Sequence, residues 1–144
     1  MPEQDDAGDR AYVLSQHAAL RQLLVERDAQ IAELVNAADE VVAGLKLVCD
    51  RLDEYFDGQS SEELDERLQA RFPQLRHAVG KFREERGQLA QFARSAAQDS
   101  TDAASAARRT AKDFHALRGL FASHEHRGNT LLQEAYNIDL GAED

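Results

Sequence analysis

The amino-acid sequence predicts an all-α protein folded as an antiparallel four-helix bundle, with a short extra helix between helices two and three. Alanine, leucine, glutamate, glutamine and arginine are abundant, and the 144 residues include only two prolines. These are the statistics of a helix-forming chain. Apolar residues recur at spacings of three and four, which indicates amphipathic helices. No Asn-Gly or Asp-Gly dipeptide separates alternating apolar runs, as a β-hairpin would require.

The first two helices are predicted from two apolar stripes with a turn between them near Asn36. Asn36 and Asp39 resemble a capping arrangement, and Asp28 is a second possible break. One unbroken helix over residues 11–56 would extend about 70 Å, too long for a compact domain of this size. The first stripe contains Val13, His17, Leu20, Leu24, Arg27, Ile31 and Leu34, and the second contains Val41, Leu45, Val48, Leu52, Tyr55 and Gln59.

The second half of the chain predicts a short helix followed by two long ones. Residues 58–61 indicate a helix end and a new start, and the short helix over residues 62–71 stops at Phe72-Pro73. A polar turn is expected at residues 98–102. The third stripe contains Leu75, Val79, Phe82, Arg86, Leu89, Phe92 and Ala96, and the fourth contains Ala103, Ala106, Thr110, Phe114, Leu117, Phe121, His124, Gly128, Leu131, Ala135 and Ile138.

Length and composition predict a single domain over residues 10–138, with a polar tail at 1–9 and an acidic tail at 139–144. The net charge of −10 argues against nucleic-acid binding, which depends largely on neutralising phosphates. No apolar run is long enough to cross a membrane, and the N-terminal residues do not resemble a signal peptide. A single cysteine, Cys49, fits a reducing compartment. We therefore expect a cytoplasmic protein.

Each of the four stripes contains a polar residue near one end of the predicted bundle. These residues are His17, Tyr55 with Gln59, Arg86 or its neighbour Glu85, and His124. Polar side chains that converge inside a bundle are how such folds build metal and cofactor sites. This interior polar layer is the place where the sequence indicates chemistry.

The order and spacing of these positions resemble the hemerythrin-like, histidine-rich cation-binding family. The resemblance covers roughly residues 12–140. It depends on His17, on the segments 52–56 and 72–75, on residues 82–86 and on His124-Glu125. It implies a four-helix bundle whose helices hold a non-haem di-iron centre that binds oxygen or senses it.

Carried over residue by residue, the resemblance places His17 and His124 at ligand positions. Tyr55, Gln59 and Arg86 then stand where a histidine, a glutamate and another histidine are expected. Arginine has no lone pair to offer and repels a divalent metal, and glutamine lacks the negative charge that a hard cation prefers. The layer therefore indicates a former metal site refilled by a hydrogen-bonded network, with little or no stoichiometric iron.

In that network Arg86 would pair with Glu85 or Glu54, and Tyr55 and Gln59 would bond the imidazoles. The ring of His124 is expected to be largely buried. A rearranged metal site would use His17, Tyr55, Glu85 and His124, with non-haem iron as the cofactor.

Three function hypotheses follow. The first is a non-enzymatic bundle of hemerythrin-like descent that acts through a protein partner, a homodimer contact or a regulatory role. The second is an iron-binding protein that responds to oxygen or redox state through an unusual ligand set. The third is a helical adaptor or export-chaperone-like protein, which is favoured if residues 11–56 form one long helix.

Overall fold

In the computed structural model, residues 2–143 are described, with side chains for residues 7–57 and 61–141. The chain forms α1 over Pro2–Tyr55, α2 over Gly58–Arg71, a 3-10 turn over Pro73–Leu75 and α3 over Arg76–Glu143. The described residues contain no strand, so the all-α prediction is confirmed. The described part of the chain contains three α-helices instead of the four long helices and one short helix that the sequence predicted, and a four-helix bundle is not confirmed.

The turn predicted near Asn36 is wrong, because α1 continues through it without a break. No proline or glycine occurs between Gly8 and Gly44, and the residues around Asn36 are mostly good helix formers. The half-buried residues also continue at helical spacing on both sides of the expected turn, at Ile31, Val35 and Ala38. A capping signal without a helix breaker is too weak to end a helix here.

The polar turn predicted at residues 98–102 is wrong for a related reason, since α3 runs through this segment. The hydroxyls of Ser100 and Thr101 both donate to the carbonyl oxygen of Ala97, at 2.7 and 3.1 Å. Gln98 donates to Asp102 across one helical turn at 3.1 Å. These polar side chains therefore have hydrogen-bond partners within the helix. Because the helix is continuous here, it has no free backbone N–H groups for them to cap.

The break predicted at residues 58–61 lies slightly earlier, at Phe56 and Asp57, and residues 58–61 are helical. The stop before Pro73 is confirmed. The segment α2 begins at Gly58, four residues before the predicted start, and ends at Arg71 as expected. Pro73 opens the 3-10 turn, where its missing N–H has no helical partner to lose.

The described chain divides into two compact units. Unit 1 combines α1 up to Leu34 with α3 from Arg108, and unit 2 is the segment 35–107. In unit 1 the N-terminal residues of α1 contact the C-terminal residues of α3. Arg21 pairs with Glu125 at 2.8 Å, and Asp28 pairs with Arg118 at 2.8 Å. The two segments of unit 1 are therefore antiparallel.

Unit 2 contains the end of α1, all of α2 and the start of α3. The Cys49 thiol donates to the carbonyl oxygen of Ala93 at 3.5 Å, which joins α1 to α3. Two alanines, Ala104 and Ala107, are 3% and 5% exposed, and Val79 is 6% exposed. These small side chains lie along the line of contact between paired helices, which we call the seam. They allow the backbones of the facing helices to approach closely.

Along α3, the residues that a facing helix covers recur with a seven-residue repeat. We name the positions a to g so that a and d are the covered ones. Half-buried or buried residues on α3 then alternate at spacings of three and four from Arg86 to Leu132, which is the pattern of antiparallel paired helices. On α1 half-buried or buried residues follow the same positions from His17 to Phe56, except at Arg21 and Asp28, which are exposed but form ion pairs with α3.

On α1 the predicted stripes combined positions d and g, whereas the facing helix covers positions a and d. Leu34, Val41, Val48 and Tyr55 were predicted inside but occupy position g of α1, where they are 46–63% exposed. Their C-terminal neighbours Val35, Val42, Cys49 and Phe56 are half-buried instead. Over residues 34–56 of α1 the sequence carries apolar residues at positions a, d and g, and the facing helix covers only a and d.

Candidate functional site

His17, one of the predicted site residues, lies in the seam of unit 1. Its side chain is 8% exposed and packs edge-on against the ring of Phe121, with centroids 5.9 Å apart. Gly128 makes room for it, since a Cβ atom at that position would lie 3.3 Å from Cε1 of His17. The Nδ1 atom is buried and has no hydrogen-bond partner among the described residues. The predicted burial of His17 is therefore confirmed, but the polar network around it is not.

His124 lies beside His17, with ring centroids 6.1 Å apart, so the two histidines do come together as expected. The expected burial of His124 is wrong, because the residue is exposed. It occupies position g of α3, next to the seam rather than in it. His17 and His124 are thus a contact pair of which only one member is enclosed.

We expect His17→Leu to raise the free energy of unfolding by about 1 kcal/mol. An unpartnered buried polar atom costs about 1–3 kcal/mol, and leucine removes it while filling a similar volume. Chemical denaturation followed by circular dichroism measures the change, and His124→Leu, on the exposed ring, is the matched control with little effect. A loss of stability above about 2 kcal/mol in His17→Leu would show that Nδ1 has a partner in solution.

Tyr55 and Glu85, the other candidate ligands, belong to unit 2 and are exposed, Tyr55 by 63%. The side chain of Gln59 lies outside the described residues. Because α1 does not turn back at Asn36, Tyr55 is not returned to the end of the helix that holds His17. The predicted convergence of all four stripes in one interior layer is therefore wrong.

Arg86 is partly buried, as predicted, but its partner is Asp65 rather than Glu85 or Glu54. The Nη2 atom of Arg86 donates to Oδ2 of Asp65, and Nε of Arg83 lies 3.5 Å from the same oxygen. The Asp65 side chain is 2% exposed and that of Arg86 is 13% exposed. The Arg86 guanidinium also lies 5.2 Å from the centre of the Phe82 ring. This ion pair fastens α2 to α3 inside unit 2.

Asp65 was missed because it lies within a run of acidic residues that the sequence presents as a solvated face. Its neighbours Leu64 and Glu66 are both exposed, so the run is solvated except at this position. The packing of α2 against α3 buries one carboxylate of this run, and no motif in the sequence distinguishes it. The eight acidic residues of the run are Asp50, Asp53, Glu54, Asp57, Glu62, Glu63, Asp65 and Glu66.

The candidate metal ligands do not fit a di-iron centre. His17 and His124 are together in unit 1, whereas Tyr55 and Glu85 are in unit 2. Among the residues whose side chains are described, no group of three histidine, cysteine, aspartate or glutamate side chains is arranged to hold a metal ion. A di-iron site needs several carboxylates around both ions, which this pair of histidines does not have.

Seven of the twelve exposed large apolar residues of unit 1 share one side of the helix pair, which we call the unit 1 face. In an antiparallel pair, positions c and g of both helices point to the same side of the seam. Seven large aliphatic residues at these positions are 42–72% exposed, and they are Leu20, Leu23 and Leu34 on α1 with Leu117, Leu120, Leu131 and Ile138 on α3.

Unit 2 has a corresponding set at the same heptad positions, the unit 2 face. Its members are Val41, Val48 and Tyr55 on α1 with Phe82, Leu89 and Phe92 on α3, all 43–71% exposed. The opposite side of the seam differs, since Asp53 and Arg94 form an exposed ion pair at 3.9 Å there. Contiguous apolar residues rimmed by polar ones are typical of protein interaction surfaces.

Comparison of the chain with protein-family models, with curated proteins and with solved structures finds no match in any of the three. The resemblance to the hemerythrin-like family therefore stays a prediction. Among the described residues, none of the helices has the length and hydropathy needed to cross a membrane.

Proposed function

We propose that this chain is a non-enzymatic helical interaction protein of the adaptor type, which binds protein through the unit 1 and unit 2 faces. One observation carries the proposal: large apolar residues repeat at positions c and g and are left uncovered by the helix pairs themselves. Burying such residues stabilises an association by roughly 25 cal/mol per Å² of apolar surface. A helical surface of this kind is recognised by other helices.

The length of α1 supports the adaptor hypothesis over the others. A single helix through residues 11–56 was the condition that favoured it, and α1 covers that whole segment. The hemerythrin-like descent has weaker support, namely the contact between His17 and His124. A four-helix arrangement in unit 1 would require two helices beyond those that unit 1 contains.

A catalytic role has little support in the geometry. The depression next to the start of α3 has a volume of about 800 Å³ and is lined by Pro73, His77, Lys81, Glu84 and their neighbours. All of its lining residues are exposed except the half-buried Gly80. Such a depression does not enclose a substrate or exclude water, as enzyme sites usually do.

Site-specific photo-crosslinking in cells tests the proposed function. A photoreactive amino acid is placed at Leu131 or Leu89, on the two faces, and at the preceding residues Thr130 or Gln88 as matched controls. We expect protein adducts at the two leucine positions and several-fold fewer at the controls, because only the faces are in close contact with a partner. Equal yields at face and control positions, or no adducts at any of them, would refute the proposal.

A further inference from the structure

We propose that the occupant of the unit 1 face is a second copy of this chain, so that two unit 1 helix pairs form a four-helix bundle between chains. This inference rests on the proposed function, in that it names the partner of one of the two faces. The bundle would contain the α1 segment up to Leu34 and the α3 segment from Arg108 of each copy.

The heptad pattern of unit 1 matches a four-helix bundle better than an isolated helix pair. A two-stranded coiled coil needs apolar residues at positions a and d, whereas helices in a bundle need a third apolar position, e or g. Position g of α3 is apolar at Leu117, Leu131 and Ile138, and position g of α1 is apolar at Leu20 and Leu34. Unit 1 thus has apolar residues at position g in addition to its seam but only two helices, and an identical pair supplies the other two.

The charged residues in the seam of unit 1 also support a four-helix bundle between two chains. Its seam contains charged residues at position a, where Arg21 pairs with Glu125 and Asp28 pairs with Arg118. Leucines and an isoleucine lie instead at c and g. The apolar residues of unit 1 are therefore divided between the seam, which two ion pairs interrupt, and the outward face, so the helix pair alone leaves much of its apolar surface uncovered.

The charge on the unit 1 face permits self-association. The chain has a net charge of −10, so two copies repel each other over most of their surface. At positions c and g of unit 1, however, the basic residues Arg27 and Arg127 offset two of the three acidic residues with described side chains, which are Asp9, Asp113 and Glu134. A nearly neutral apolar face is the part of an acidic chain that an identical acidic chain can approach most easily.

The uncovered surface is large enough for a stable dimer. The chain exposes 11307 Å², whereas a folded monomer of its mass exposes about 7,400 Å². The excess of roughly 3,900 Å² exceeds what one partner contributes to a typical obligate homodimer, about 1,000–2,500 Å². This excess belongs to both units together, so the chain as a whole exposes more surface than one dimer contact uses.

Sedimentation equilibrium of the full chain tests the inference. The parent is expected at twice 16.0 kDa. The double variant Leu117→Glu/Leu131→Glu places two charges on the face and should raise the dimer dissociation constant more than about 100-fold, because each charge would be buried without a partner. The matched control Ala116→Glu/Thr130→Glu adds the same charge one residue earlier in each case, outside the face, and should remain dimeric.

The outcomes separate this inference from the proposed function. Two results would overturn the second copy as the occupant. One is a parent that stays monomeric at about 100 µM, a concentration at which even weak dimers form. The other is a Leu117→Glu/Leu131→Glu variant that stays dimeric. Should either hold while photo-crosslinking at Leu131 still captures a different protein, the face binds another partner and the proposed function survives. Circular dichroism checks that the variant is helical. If it is not, crosslinking at Leu131 in the otherwise native chain decides, since a dimer adduct there and none at Thr130 supports the inference and its absence refutes it.

Discussion

We expect Asp65→Ala to lower the free energy of unfolding by about 3–5 kcal/mol, the cost of leaving a buried charge without its partner. The Asp65 carboxylate is the acceptor for Arg86, whose side chain is 13% exposed, and it also attracts Arg83. Removing it leaves the Arg86 guanidinium enclosed and unpaired. Chemical denaturation measures the loss, and hydrogen exchange of α2 amides shows whether α2 separates from α3 before the rest of the chain unfolds.

Two further variants make this prediction specific. Glu66→Ala removes the adjacent exposed carboxylate and should change stability by no more than about 0.5 kcal/mol. The double variant Asp65→Leu/Arg86→Met removes both charges and should recover much of the loss, because an apolar pair leaves no charge unsatisfied. If Asp65→Ala is as mild as Glu66→Ala, Arg86 is solvated and the ion pair does not hold α2 in place.

The second large effect is expected for Ala104→Leu, which should destabilise the protein by about 1–3 kcal/mol. Ala104 is 3% exposed in the seam of unit 2, and three added carbon atoms have no space there unless the facing helix moves. The matched control is Ala116→Leu, on the exposed side of the same helix. Leucine and alanine have similar helix propensity, so the difference between the two variants in thermal unfolding reports packing alone.

A result in which Ala104→Leu is as stable as Ala116→Leu would contradict the close-packed seam. It would mean that the helices of unit 2 are far enough apart at this point to accept a larger side chain. In that case the small residues at Ala104 and Ala107 would reflect helix propensity rather than close approach.

The helical content and the stop before Pro73 were predictable from local sequence. Proline ends a helix for reasons that operate within a few residues, and α2 ends at Arg71, two residues before it. The break between α1 and α2 was predicted within a few residues of Phe56 and Asp57, where it occurs. The false turns at Asn36 and at residues 98–102 had only capping residues to indicate them. Asn, Ser, Thr and Asp can cap a helix or lie inside one, and the choice depends on what the neighbouring helices cover.

The candidate site was predictable in part. His17 lies in the seam and contacts His124, as the stripes indicated, and Arg86 is enclosed. The apolar stripe of each helix was also real, but it is wider than one partner can cover. Periodicity identifies which residues share a side of a helix, and it cannot tell which of two adjacent rows a neighbouring helix will occupy.

The sequence by itself determined that this protein is helical, where its short helix ends, and that its helices carry apolar stripes at spacings of three and four. Helix propensity, proline and glycine act locally, so these properties can be read from neighbouring residues. The tertiary structure alone decided that α1 and α3 are unbroken, that Asp65 is the partner of Arg86, and that positions c and g remain uncovered. These outcomes depend on which helices meet and in which register, and that choice minimises the free energy of the whole chain rather than of any segment.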